Sequence, residues 1–186
     1  MSVGKLKKIF VLPVLLLFLC NCTQRVSNHS EAVQDRKKVP TMHTEDVVSL
    51  ISDSGIVRYR IITKTWDIFD KADTPYWDFP DGIYLEKFNE SFNIEAHLKA
   101  DKARYNQKSE QWKLDGNVTA MNEAKEHFFT QQLLWDQKQE QIFSDSMITI
   151  EKENSTIVGI GFQSNVTMTK YTILHPTGFF PINNDE

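Results

Sequence analysis

The stretch "NQKSEQWKLDGNVTA", Asn106 to Ala120, decides how this chain reads, because it comes twice. Farther on stands "DQKQEQIFSDSMITI", Asp136 to Ile150, in step with it. Gln107, Lys108, Glu110, Gln111, Asp115 and Thr119 return as Gln137, Lys138, Glu140, Gln141, Asp145 and Thr149. Each copy is a polar turn followed by a run alternating apolar and polar residues, the period of a β-strand. Neither copy carries a nucleophile with a base, or a metal-ligand pair. A repeated turn and strand is a building unit, in which successive hairpins add along one direction. Such an array need not close. It leaves an apolar trough and two exposed edges, and a protein that keeps its edges open uses them to add strands from partners.

The alternation continues on both sides. "GIVRYRIITKTW" puts Val57, Tyr59 and Ile61 on one face and Arg58 and Arg60 on the other. "SFNIEAHLKA" puts Phe92, Ile94, Ala96, Leu98 and Ala100 together. "QWKLDGNVTA" groups Trp112, Leu114, Val118 and Ala120, with Gly116 in the same set, and "EQIFSDSMITI" groups Ile142, Ile148 and Ile150. Turn chemistry interrupts these runs in "NQKSE", "NEAKE", "DQKQE" and "KENS". "TEDVVSLI", from Thr44, reads as a strand or a short helix, and "DKADTPYWDFPDG" as a Pro- and aromatic-rich loop without regular pattern. The chain of 186 residues is therefore expected to form one all-β domain of antiparallel strands joined by hairpins.

Residues 1–22 read as a processing signal. Lys5, Lys7 and Lys8 precede the apolar run "IFVLPVLLLFLC", Ile9 to Cys20. As a helix that run covers only about 18 Å of a roughly 30 Å hydrocarbon layer, which suits a signal-peptide core rather than a span. "LCNC", Leu19 to Cys22, resembles a lipoprotein signal and makes Cys22 the expected lipidation site, although Asn21 and Cys20 depart from the usual pattern. The alternatives are an ordinary signal peptide or an uncleaved anchor. No cysteine follows Cys22, so the expected mature domain has no internal disulfide. Residues 23–41 are polar, lack periodicity and read as a tether, residues 42–181 as the domain, and residues 182–186 as a tail.

The formal net charge is −4, and removing residues 1–21 takes away three lysines and no acid. Outside the signal the one basic block is "RKK", Arg36 to Lys38, so nucleic acid is excluded as a partner class. His29, His43, His97, His127 and His175 are scattered without metal-ligand spacing, and no phosphate-binding glycine loop occurs. The reading therefore expects no enzyme activity, no metal and no cofactor. Trp66, Trp77, Trp112 and Trp135 allow a competing view, a carbohydrate-binding or structural β-sandwich lipoprotein of the envelope using exposed tryptophans.

"AHLKADKARYNQKSEQWKLDGNVTAM", Ala96 to Met121, resembles the signature of the OstA/LptC-type domain. Ala100, Ala103 and Tyr105, then Trp112, Leu114, Gly116, Asn117 and Val118, then Thr130, Leu133, Trp135 and Asp136 carry the likeness. "ISDSGIVRYRIITKTWDIFD" and "PYWDFPDGIYLEKF" resemble the N-terminal part of LptC in Bacteroidetes-type bacteria, so the likeness covers roughly Thr41 to Pro181.

The resemblance implies an open, twisted antiparallel β-jellyroll with an apolar groove, working in lipopolysaccharide export. It implies a place on the periplasmic side of the inner membrane, here lipid-anchored. The implied partners are an ABC transporter of the LptB, LptF and LptG type, an LptA-like bridge protein, and lipopolysaccharide itself. The expected groove residues are Phe92, Ile94, Ala96, Leu98, Trp112, Leu114, Val118, Leu133, Trp135, Ile148 and Phe162. Taken singly, each of these reads first as ordinary core, and the family resemblance is what raises the groove reading. The expected partner edges are the strands around Val57, Tyr59 and Ile61 and around Val166, Met168 and Tyr171. Gly116, Gly159 and Gly161 are expected to mark bulges or twist.

Overall fold

The computed structural model describes residues 35–178. Residues 1–22 with the expected lipidation site Cys22, most of the expected tether and the tail 182–186 lie outside the described residues. Among the described residues no helix is long and apolar enough to cross a membrane.

The described residues form eleven antiparallel strands in one continuous sheet. They are β1 (Met42–Asp53), β2 (Ile56–Phe69), β3 (Tyr76–Phe79), β4 (Ile83–Phe88), β5 (Ile94–Ala100), β6 (Lys102–Asn106), β7 (Gln111–Asn122), β8 (His127–Asp136), β9 (Gln141–Lys152), β10 (Ser155–Asn165) and β11 (Tyr171–Pro176). β2 carries β1 on one edge; its other edge pairs with β4 over Tyr59–Thr63 and then with β3 over Asp67–Phe69. β7 carries β8 on one edge; its other edge pairs with β6 over Gln111–Asp115 and then with β5 over Thr119–Asn122. So β3 and β4 act as one strand broken at Pro80–Gly82, and β5 and β6 as one strand broken at Asp101.

These breaks fall on a single line across the sheet. It runs through Asp46 (φ 52) in β1, Thr63–Thr65 in β2, and Gly116 and Asn117 (φ 79 and 42) in β7. It continues through the register shifts between Thr130 and Leu134 in β8 and at Gly161 (φ 82) in β10. Bulges bend strands and strengthen their twist, so the sheet doubles over along this line into two facing halves. That is a jellyroll made from one sheet. Gly116 and Gly161 sit at the bulges, where a side chain at such φ is strained. Gly159 has a different task. A Cβ there would lie 2.3 Å from Cγ2 of Ile173 and 2.8 Å from the His175 carbonyl, so its bareness admits β11.

Bending frees ladder carbonyls, and buried hydroxyls occupy them. Thr130 Oγ1 donates to the Met147 carbonyl at 2.9 Å, and Ser144 Oγ to the Gln132 carbonyl at 2.7 Å. Thr63 Oγ1 donates to the Gly82 carbonyl at 2.7 Å. Asn117 Nδ2 reaches Asp101 at 2.7 Å, and the Asp101 amide donates to the Gly116 carbonyl at 3.0 Å. A buried polar group left without a partner is costly, so each hydroxyl makes its bend tolerable.

The repeated stretch is now explained. Glu110 (φ 57) and Glu140 (φ 53) close equivalent turns, opened by Asn106 and Asp136, whose side chains accept from Ser109 and Gln139 amides at 3.0 and 2.9 Å. The two turns stack, with the Gln137 amide donating to the Glu110 carbonyl at 3.1 Å and Lys138 Nζ 3.4 Å from Glu110.

"TEDVVSLI" is strand, within β1. "DKADTPYWDFPDG" is not structureless: it holds β3, whose Trp77 and Phe79 alternate inward.

Candidate lipid-binding interior and sheet edges

Nine of the eleven expected groove residues, Ala96, Leu98, Trp112, Leu114, Val118, Leu133, Trp135, Ile148 and Phe162, lie in one buried apolar cluster between the two halves. Phe92 and Ile94 do not. Phe92 occupies the β4–β5 turn at φ 61, 55% exposed, with its ring stacked on Phe88 at 4.4 Å. Ile94 lies beyond a register shift at Lys87/Phe88 and is 46% exposed. Strict alternation cannot foresee a bulge, and the bulge carries both residues off the inner face.

The interior is lined by aromatic rings toward the β3–β6 side. Trp112 stacks on Phe79 at 5.5 Å and on Trp135 at 6.2 Å, with Trp77 and Tyr105 against it at 6.5 and 4.9 Å. Trp112 and Trp135 are also register partners on β7 and β8. Contacts across the fold join the halves: Tyr59 meets Trp135 at 5.4 Å, and Phe128 meets Phe162 at 5.7 Å. The indole nitrogens of Trp66, Trp112 and Trp135 are buried without a hydrogen-bond partner. The tryptophans thus pack inside, and form no outward sugar-stacking platform.

One slot stays unfilled between the halves. Tyr59, Leu85, Ala96 and Leu98 wall it on one half; Trp135 and Ile142 face them, and Val166 and Met168 complete the lining. Its volume is about 40 Å³. Burial pushes the Tyr59 hydroxyl pKa up, with Glu140 adding to the effect, so the phenol is neutral at the slot. Sequence reading missed Leu85 because "GIYLEKF" carries too short an alternation to declare a face.

The edges differ from expectation on one side. Val57, Tyr59 and Ile61 belong to β2, an interior strand flanked by β1 and β4, and Ile61 is fully buried. Among the described residues the N-terminal edge strand is β1, which pairs only with β2, and its outer face exposes Val48 and Leu50 at 67% and 55%. Among the described residues the C-terminal edge strand is β11, which begins at Tyr171 and pairs only with β10. Val166 and Met168 belong to the preceding turn, not to the strand, and Met168 is 1% exposed. Tyr171 does lie on the edge strand. Its hydroxyl donates to Glu126 at 3.2 Å, and Lys152 Nζ meets the same carboxylate at 2.9 Å. Burial works against the charge of Glu126, but Lys152 and Asn122 outweigh it and hold its pKa below the usual carboxylate range.

A family model described as lipopolysaccharide-assembly, LptC-related, matches residues 9–177, from the apolar N-terminal run to the end of β11. The chain belongs to the LptC family. No curated protein matches it. Membership makes it a component of lipopolysaccharide transport in the cell envelope.

Proposed function

We propose that this LptC-family protein is anchored at the periplasmic face of the inner membrane. There it receives lipopolysaccharide from the ABC transporter and passes it to the periplasmic bridge protein. The acyl chains travel between the two halves of the doubled sheet. The observation that carries the reading is the apolar slot between Tyr59, Leu98, Trp135 and Ile142, in a sheet whose two end strands each keep one edge without a partner strand among the described residues. β1, the strand nearest in sequence to the anchor, offers its edge to the transporter, and β11 offers its edge to the bridge; each edge can continue the sheet into a partner strand. Cys22 carries the lipid.

The energetics suit a carrier. Burying an acyl chain contributes about 0.8 kcal/mol per methylene, so a dozen methylenes give on the order of 10 kcal/mol before ordering costs. Apolar burial on that scale holds an anionic lipid without a cationic site, which fits the net-negative chain. Onward movement is then driven from outside, by the transporter.

The test is photocrosslinking in cells from a light-activated residue at Tyr59 or Val166, both on the rim of the slot. Leu50, on the outer face, serves as the control. Lipopolysaccharide adducts from the rim positions but not from Leu50 are expected. Adducts with polysaccharide alone, or none, would overturn the reading.

A further inference from the structure

The segment Val166–Lys170 joins β10 to β11 as a tightly made turn. Asn165 organises it: its side-chain oxygen accepts from the Thr169 and Lys170 amides, each at 3.0 Å, and its carbonyl accepts from the Met168 amide at 3.0 Å. The turn demands a left-handed residue, and Met168 supplies it at φ 53. Methionine there is strained where glycine or asparagine would not be. Its side chain is 1% exposed, in a turn whose Thr169 and Lys170 are exposed. The turn itself does not require methionine; the slot accounts for it, because Met168 and Val166 line it.

A second group holds the plug in place. Asn122, itself 1% exposed, donates to the Met168 carbonyl at 2.9 Å and to Glu126 at 2.7 Å. The Glu126 amide returns a bond to Asn122 Oδ1 at 3.0 Å. The turn is therefore tied to the β7–β8 connection by one side-chain hydrogen bond.

The residual slot of about 40 Å³ has room for a few water molecules. Sites that hold small ligands run to roughly 300–1,000 Å³. An acyl chain therefore enters only if a wall gives way. Tyr59, Leu85, Leu98, Trp135 and Ile142 sit on strands paired along both edges. Val166 and Met168 alone among the lining residues belong to a turn, beside the free edge strand, where local opening is least costly.

We propose that the Val166–Lys170 turn is a gate: Met168 plugs the interior in the lipid-free protein and swings out when an acyl chain of lipopolysaccharide enters. This inference rests on the proposed passage of acyl chains between the halves. A plug of this kind keeps the greasy interior closed while the carrier is empty, and returns when the lipid leaves.

The experiment uses the full-length chain in detergent with purified lipopolysaccharide as the probe. Met168→Gly removes the plug and relieves the left-handed strain together, so the fold is expected to survive. It should bind about tenfold more tightly, because the competent state no longer has to expel a side chain. Met168→Leu keeps the slot filled and should bind as the native chain does. Independently of any variant, lipopolysaccharide should speed amide exchange of the native protein at Val166–Lys170 while leaving β7 and β8 protected. Unchanged affinity of Met168→Gly, with unchanged exchange in the turn, overturns the gate even when Tyr59 crosslinks to lipopolysaccharide. Absence of any crosslink from Tyr59 and Val166 removes the transport route itself, and the gate with it.

Discussion

Thr130 shows what a doubled sheet asks of single residues. Its hydroxyl lies at the fold line, donates to the Met147 carbonyl at 2.9 Å and is 3.3 Å from Ser144 Oγ. Valine has the same shape and cannot make these bonds. Thr130→Val is therefore expected to destabilise the domain by about 0.5–1.5 kcal/mol, the net contribution of the hydrogen bonds made by a buried hydroxyl. Equilibrium urea unfolding measures this, and a neutral result would mean that the bend relaxes to find another donor. The alternation marks neither Thr63 nor Ser144 as special, because a hydroxyl in an alternating strand reads as tolerated polarity, and Thr130 stands out only through the family resemblance. The inward apolar residues were legible: Trp112, Leu114, Val118, Leu133 and Ile148 follow from a period of two. Phe92 was not, because a left-handed turn residue at the end of an apolar run looks like one more member of its face.

At the scale of the element, a long strand serves both halves of the fold, and short interruptions decide where it bends. Gly116 and Gly161 could be read as bulges from sequence, yet the alignment of all the bends emerges only from register. β1 escaped recognition as the N-terminal edge because "TEDVVSLI" places Val47 and Val48 side by side and blurs the period. The strand read as an edge, β2, then turned out to be its inner neighbour. At the other end β11 is held by close approach to Gly159. Gly159→Ala would set a methyl group against the His175 carbonyl and Ile173. A cost of about 1–3 kcal/mol is expected, as for overpacking, and it should fall locally. Hydrogen exchange should show β11 losing protection while β7 to β9 keep theirs. Uniform loss of protection would mean that β11 is part of the cooperative core rather than a detachable edge.

At the scale of the whole molecule, the apolar face of one doubled sheet forms the interior, and the proposed path of the lipid lies between its two halves. Family membership fixes the transport system; the path of the lipid through this chain is the claim at risk. All four tryptophans of the chain belong to that interior, two buried and two packed partly buried against it. Its fluorescence is therefore a reporter of the interior. The decisive measurement is quenching of that fluorescence in the full-length protein by lipopolysaccharide carrying bromine on its acyl chains, set against the same lipid brominated on its sugar headgroup. Strong quenching by the acyl label and little by the headgroup label is the expected result. Equal binding of both lipids with no acyl-specific quenching would contradict the account, because the chains would then ride on some other surface.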